Sequence, residues 1–179
     1  MLAINAVMFL VIAGAALYAD SSALLSDSLD NLGDAITYAL SLWAVALGAR
    51  AKARVALVKG LLILIAALMV AAQIGYKLLH PAVPVFEAMG VFSLLGLAAN
   101  GVCLYLLWRH RFEDVNMSSV WECSRNDIVS NLAVLIAAAL VWVTGSGWPD
   151  LLIAGLLVLF LLRSAMRVVA NARVELHRL

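Results

Sequence analysis

Two pairs of side chains, each spaced four residues apart, carry the chemistry of this sequence. Asp30 and Asp34 lie in the stretch LLSDSLDNLGDAITYALSLWAV, and Cys123 and Asp127 lie in WECSRNDIVSNLAVLIAAALVW. Residues four apart share a helical face, so each pair offers two ligands in one direction. An ionisable group at membrane depth is expensive, and its default reading is functional. Three carboxylates and a thiol cannot all ionise side by side at low dielectric without compensation; some would keep their protons. A divalent cation removes that conflict. Its arrival displaces protons, because only deprotonated carboxylate and thiolate are ligands. A site that holds either a metal or protons is the physical basis of metal–proton exchange.

The donor set bears on the metal. Four ligands from two helices suit a tetrahedral ion such as Zn²⁺. Thiolate disfavours Mg²⁺ and Ca²⁺ and would also favour Cd²⁺. Co²⁺, Fe²⁺ and Mn²⁺ stay open, since three hard oxygens dilute the sulfur. The bland alternatives are an intramembrane Asp that only hydrogen-bonds a neighbouring helix and a Cys that behaves as a small hydrophobe. Two pairs at matched depth favour the metal.

The elements that position these residues are membrane spans. Hydrophobic residues make up 65% of the 179, and charged residues only 13%. The mean hydropathy is +1.04. A soluble domain of this length needs more polar surface, so the expectation is an all-α integral membrane protein. The net charge of +1 says nothing about nucleic acid, but no basic patch interleaved with aromatics is present, so no nucleic-acid partner is expected. Two cysteines, Cys103 and Cys123, are no disulfide framework. The N-terminal LAINAVMFLVIAGAALY reads as a first span, without the basic n-region or cleavage site of a signal peptide.

A span needs about 20 apolar residues. Six are expected, at roughly 1–18, 23–48, 55–79, 83–108, 117–143 and 149–170, in a single transmembrane domain 1–179 with no soluble C-terminal domain. Arg50, Lys52 and Arg54, then Arg109 and Arg111, then Arg163, Arg167, Arg173 and Arg178 collect on alternate connections, with Lys77 the exception. The positive-inside rule then places both termini in the cytoplasm. Tyr18, Tyr76, Trp108, Trp121, Trp142 and Trp148 near span ends fit an interfacial belt, or ordinary packing. At 1.5 Å per residue, Asp30 lies about 12 Å and Asp34 about 18 Å from one surface, Cys123 about 9 Å and Asp127 about 15 Å from the other. In a core of about 30 Å these depths overlap near the midplane.

At these residues the sequence resembles the cation diffusion facilitator family of metal–proton antiporters, over almost its whole length. SALLSDSLDNLGDAITYALSL is similar to that family's second span, in which a Ser-x-Ala-Leu-Leu-x-Asp run precedes His or Asp, three residues, then Asp; the matching positions are Asp30 and Asp34. WECSRNDIVSNLAVLIAAALV is similar to the fifth, which normally reads His-x-x-x-Asp; the matching positions are Cys123 and Asp127. AINAVMFLV, ALVKGLLILI, GLAANGVCLYLL and GWPDLLIAGLLVLFLLRSA follow the pattern of the other four. The resemblance implies a six-helix transporter, usually a homodimer, in a membrane such as the bacterial inner membrane. It would bind metal between spans two and five and export it while protons enter. Cys123 stands where His is usual. The family's His-Pro-Phe-Gly-Tyr-Gly stretch before span three is replaced by GARAKARVALVKG, and its cytoplasmic ferredoxin-like domain has no counterpart here.

Other residues have quieter expectations. Asp27 either guides ions at the outer mouth or joins a hydrogen-bond network, and the network is favoured. Asn31 is expected to hydrogen-bond across helices, and Asn131 to support the site from behind Asp127. Asn5 and Asn100 read as structural hydrogen bonders. Glu122 with Asn126 is a competing pair on span five that would make Cys123 a bystander; the family pattern argues against it. Arg125 and Lys59 snorkel or pair with a site acid. Asp150 reads as a charge suited to its own helix N-terminus. His80, His110 and His177 lie too far out for the site. Gly14, Gly60, Gly90, Gly96, Gly101 and Gly155 are expected to allow close helix contact. With no nucleophile–base pair, an enzyme is not expected. The alternative to a transporter is a membrane protein that binds metal or a partner and modulates another complex.

Overall fold

A computed structural model describes residues 1–44, 49–108 and 115–178, with side chains except those of 41, 44, 49–52, 107, 115–124 and 178. The described residues form six α-helices and no strand: α1 (Leu2–Ala19), α2 (Ser22–Ala44), α3 (Ala49–Leu79), α4 (Phe86–Leu107), α5 (Val115–Thr144) and α6 (Trp148–Arg178). All but α2 are long and apolar enough to cross a membrane. α2 has the length, but Asp27, Asp30 and Asp34 lower its apolarity. The reason is position: α2 packs against α1, α3, α5 and α6 and needs little lipid-facing surface.

Helix boundaries differ from expectation where charge was read as a break. ARAKAR at 49–54 belongs to α3, and α6 runs on to Arg178 rather than stopping at 170. Ala, Arg, Lys and Glu are strong helix formers, so a helix continues past the point where its apolar character ends.

The molecule is inverted relative to a water-soluble protein. Leu10, Leu17, Val58, Met69, Leu94, Val102, Val143, Leu152 and Leu159 are exposed, whereas Asn5, Ser26, Asp27, Asn31, Ser93, Asn100, Asp127, Ser130 and Asn131 are buried. That is the surface a hydrocarbon solvent selects. The chain is an integral, multi-pass membrane protein. The apolar part of the interior is small-residue packing: Met8, Ile12, Ala15, Ala16, Ala19, Ala23, Leu24, Ala88, Met89, Val134, Ala137, Ala138 and Ala154 join α1, α2, α4, α5 and α6. A second cluster, Ile63 and Ala67 against Leu161 and Ala165, joins α3 to α6.

Two of the six glycines expected to permit close approach do so. A Cβ on Gly60 would lie 2.7 Å from Val169 Cγ2 on α6, and one on Gly96 would collide with Asn131 Oδ1 on α5. Gly14, Gly90, Gly101 and Gly155 have nothing within 4 Å, so the small-residue signal overstates packing there.

One end of the bundle is tightly clasped. The α1–α2 turn reverses the chain through Asp20, whose φ of 49° lies in the left-handed region that Asp tolerates. Lys77 of α3 reaches the Asp20 carboxylate at 2.8 Å and also donates to the Asp20 carbonyl. Val85 N–H, at the start of α4, donates to Ala19 O at 2.9 Å. The carboxylate of Asp150 on α6 accepts from Ser21 Oγ at 2.6 Å, Ser22 N at 2.8 Å and Ala23 N at 3.1 Å. It therefore caps α2, the first N–H groups of which have no intrahelical partner. Asp150, in the first turn of α6 as expected, also closes the N-terminus of α2. Lys77, the exception to the basic-residue pattern, is the cation of this clasp.

Candidate metal site

Three of the four expected ligands line one cavity. Asp30 and Asp34 of α2 and Asp127 of α5 line a single cavity of about 260 Å³, with Asn126, Phe160, Arg163, Ser164 and Arg167. Helical periodicity brings Asp30 and Asp34 to one wall. The packing of α2 on α5 supplies the opposite one. Asp127 is buried at 3% exposure. It sits within electrostatic reach of Asp34, Asp30 and Asp27. The Ser130 hydroxyl, one turn from Asp127 on α5, lies on the side facing the Asp30 carboxylate of α2.

Cys123 lies outside the described side chains, as does Glu122, so both readings of span five stand apart from the observed geometry. Among the described residues no three His, Cys, Asp or Glu side chains close into a group able to hold a metal ion. The three aspartates line a wide cavity rather than converge on one point.

Asn131 Nδ2 donates to the Asp127 carbonyl at 2.7 Å, while its Oδ1 rests against Gly96. It supports Asp127 through the backbone. Asn31 repeats the arrangement on α2, donating to the Asp27 carbonyl at 3.0 Å. The expected interhelical bond from Asn31 is therefore an intrahelical one. Asp27 is 1% exposed, and neither of its carboxylate oxygens has a hydrogen-bond partner among the described residues. It neither sits at a mouth nor joins a network. Asn5 Oδ1 and Asn100 Nδ2 are likewise unpartnered, against their expected bonding. His80 stacks on Tyr76 at 4.3 Å near the clasped end, away from the cavity.

The residues that sequence reasoning missed are Arg163 and Arg167. The positive-inside rule takes them as flanking charge, yet both line the acid cavity. The available signal was their own four-residue spacing on α6, the same spacing that singled out the acids.

The sequence of residues 1–177 matches the cation efflux transmembrane domain. The chain belongs to the cation diffusion facilitator family. A similar curated protein is an uncharacterized transporter of Synechocystis sp., 28% identical over 156 residues, covering 79% of this chain and 50% of that protein. The chain thus spans about half the length of the curated relative it matches. Within this domain Asp30, Asp34 and Asp127 share the cavity.

Proposed function

We propose that this protein is a secondary transporter that exports a divalent transition metal, Zn²⁺ or a similar ion such as Cd²⁺ or Co²⁺, from the cytoplasm in exchange for protons. The observation that carries the reading is the convergence of Asp30, Asp34 and Asp127, from two helices far apart in sequence, on one cavity. Buried carboxylates facing each other need either protons or a cation, and the two alternatives exclude one another. Cys123, one turn before Asp127, is the proposed fourth ligand. The metal is cargo: it enters from the end where both termini lie, which the charge pattern assigns to the cytoplasm. Release at the clasped end requires the Asp150 and Lys77 ties to move. A homodimer is the proposed assembly.

The test is metal-driven proton flux in liposomes containing the purified chain and an internal pH dye. Wild type should acidify or alkalinise the lumen when Zn²⁺ or Cd²⁺ is added across a proton gradient. Asp34→Ala and Asp127→Ala should each abolish the signal. Undiminished flux in both variants would rule out this cavity as the pathway.

A further inference from the structure

A second polar region adjoins the acid cavity, on α2, α4 and α5. Asp27 Oδ1 and Oδ2, Asn31 Oδ1 and Asn131 Oδ1 are buried acceptors with no donor among the described residues, and Asn100 Nδ2 is a buried donor with no acceptor among them. None of these four side chains is more than 2% exposed. None of them lines the cavity itself. Turning the amides does not cure the mismatch. The Nδ2 of Asn31 already donates to the Asp27 carbonyl at 3.0 Å, and that of Asn131 to the Asp127 carbonyl at 2.7 Å. Each Oδ1 is thereby assigned to the other side of its amide.

Helical spacing sets these groups near one another. Asp27 and Asn31 are four apart on α2, and Gly96 and Asn100 are four apart on α4. Gly96 lies against Asn131 Oδ1, so Asn100 stands one turn along the face of α4 that meets α5. Asp27 is within electrostatic reach of both Asp30 and Asp127. Counted from the clasped ends of their helices, Asp27 lies about 8 Å deep, Asn31 about 14 Å, Asn131 about 20 Å and Asn100 about 21 Å. The unmet groups thus descend from the clasped end to the level of Asp34, at about 18 Å.

On the reading that protons are exchanged for metal at the acid cavity, we infer that these groups bind water between α2, α4 and α5, and that this water is the protons' way from the clasped end to Asp127. An unmet buried acceptor costs free energy, and lipid has no donor to offer it. A cation would satisfy the oxygens and leave the Asn100 amide unmet. Water donates and accepts, so it serves all of these atoms, and a buried water makes about three such bonds. An amide at position 27 would keep its bond to this water while removing a buried charge. Protons and metal then reach the aspartates by different paths, and neither blocks the other.

The test is hydroxyl-radical footprinting of the full chain in detergent, read by mass spectrometry, paired with metal-driven proton flux in liposomes. Cys103 is one turn beyond Asn100 and within electrostatic reach of Asp127. It is 1% exposed, so radicals from bulk water do not reach it, and oxidation there reports water bound beside it. Wild type should show Cys103 oxidised and Met89, fully buried in the apolar core, untouched. Asn100→Leu, of similar volume, should remove the Cys103 signal and lower proton flux about tenfold, the loss expected for one missing hydrogen bond in the path. Zn²⁺ binding in calorimetric titration should stay at the wild-type affinity. Asn100→Ser keeps a polar group and leaves room for water, so it should keep both signals. If Asn100→Leu does not fold, the wild-type footprint decides alone. Cys103 that stays unoxidised in wild type, or oxidation or flux that Asn100→Leu leaves unchanged, overturns the inference while the transport reading stands. Flux that depends on Na⁺ in place of these effects puts a cation there and overturns it as well. Wild-type protein without metal-driven proton flux overturns the transport reading, and the proton route falls with it.

Discussion

Asp150 and Asp127 are both buried aspartates, yet their surroundings are opposite. Asp150 is 1% exposed and accepts three hydrogen bonds that close the N-terminus of α2. Asp127 is 3% exposed and looks across a cavity at two further aspartates. The first carboxylate is held by three fixed donors. The second faces groups of its own charge, a conflict that a proton or a cation relieves. In a bilayer, where water cannot satisfy a stray polar group, that contrast separates an acid that holds the fold from one that faces other acids. The clasped end joins α1, α2, α3, α4 and α6 through short polar contacts, whereas the cavity lies between α2, α5 and α6 with two arginines on its lining.

Four substitutions would break or sharpen this contrast, all read by thermal or denaturant unfolding in detergent. The largest effect belongs to Asp150→Ala, which strands Ser21 Oγ and the N–H groups of Ser22 and Ala23. Stability should fall by about 2 kcal/mol, whereas Asp127→Asn should lower it little or not at all. Equal losses from both would erase the distinction. Next is Asp27→Asn, which replaces an unpartnered buried carboxylate with an amide that can donate as well as accept. Stability should rise by about 1 kcal/mol; a loss would mean that Asp27 has a partner in the membrane. The smallest effect is that of Lys77→Met. Asp20 is half exposed and can return to water, so the pair should contribute about 0.5 kcal/mol. A loss as large as that of Asp150→Ala would make the two ties one cooperative unit.

Much of this was legible in the sequence, and the particular residues explain why. Helix class follows from hydropathy and length. Which acids share a face follows from a 3.6-residue period, so Asp30 with Asp34 needed no tertiary information. The opposite holds for Asp150. Its spacing from Ser21, Ser22 and Ala23 runs across almost the whole chain, and no local pattern announces that one helix caps another. Gly60 and Gly96 differ from Gly14 and Gly101 only in what happens to face them. Arg163 and Arg167 were misassigned because the positive-inside rule reads charge along the chain, whereas a cavity is built from several chain segments at once.

From the sequence alone came the solvent for which this chain is made and the chemical character of its interior: apolar helices carrying carboxylates at regular spacing. Those are properties of single segments, fixed by local hydropathy and helical geometry. Tertiary structure alone decided which polar groups meet. Asp150 was given three donors, Asp27 none among the described residues, and Asp30, Asp34 and Asp127 a shared cavity. Electrostatic interaction depends on separation in space, and helices remote in sequence acquire that separation only when they pack.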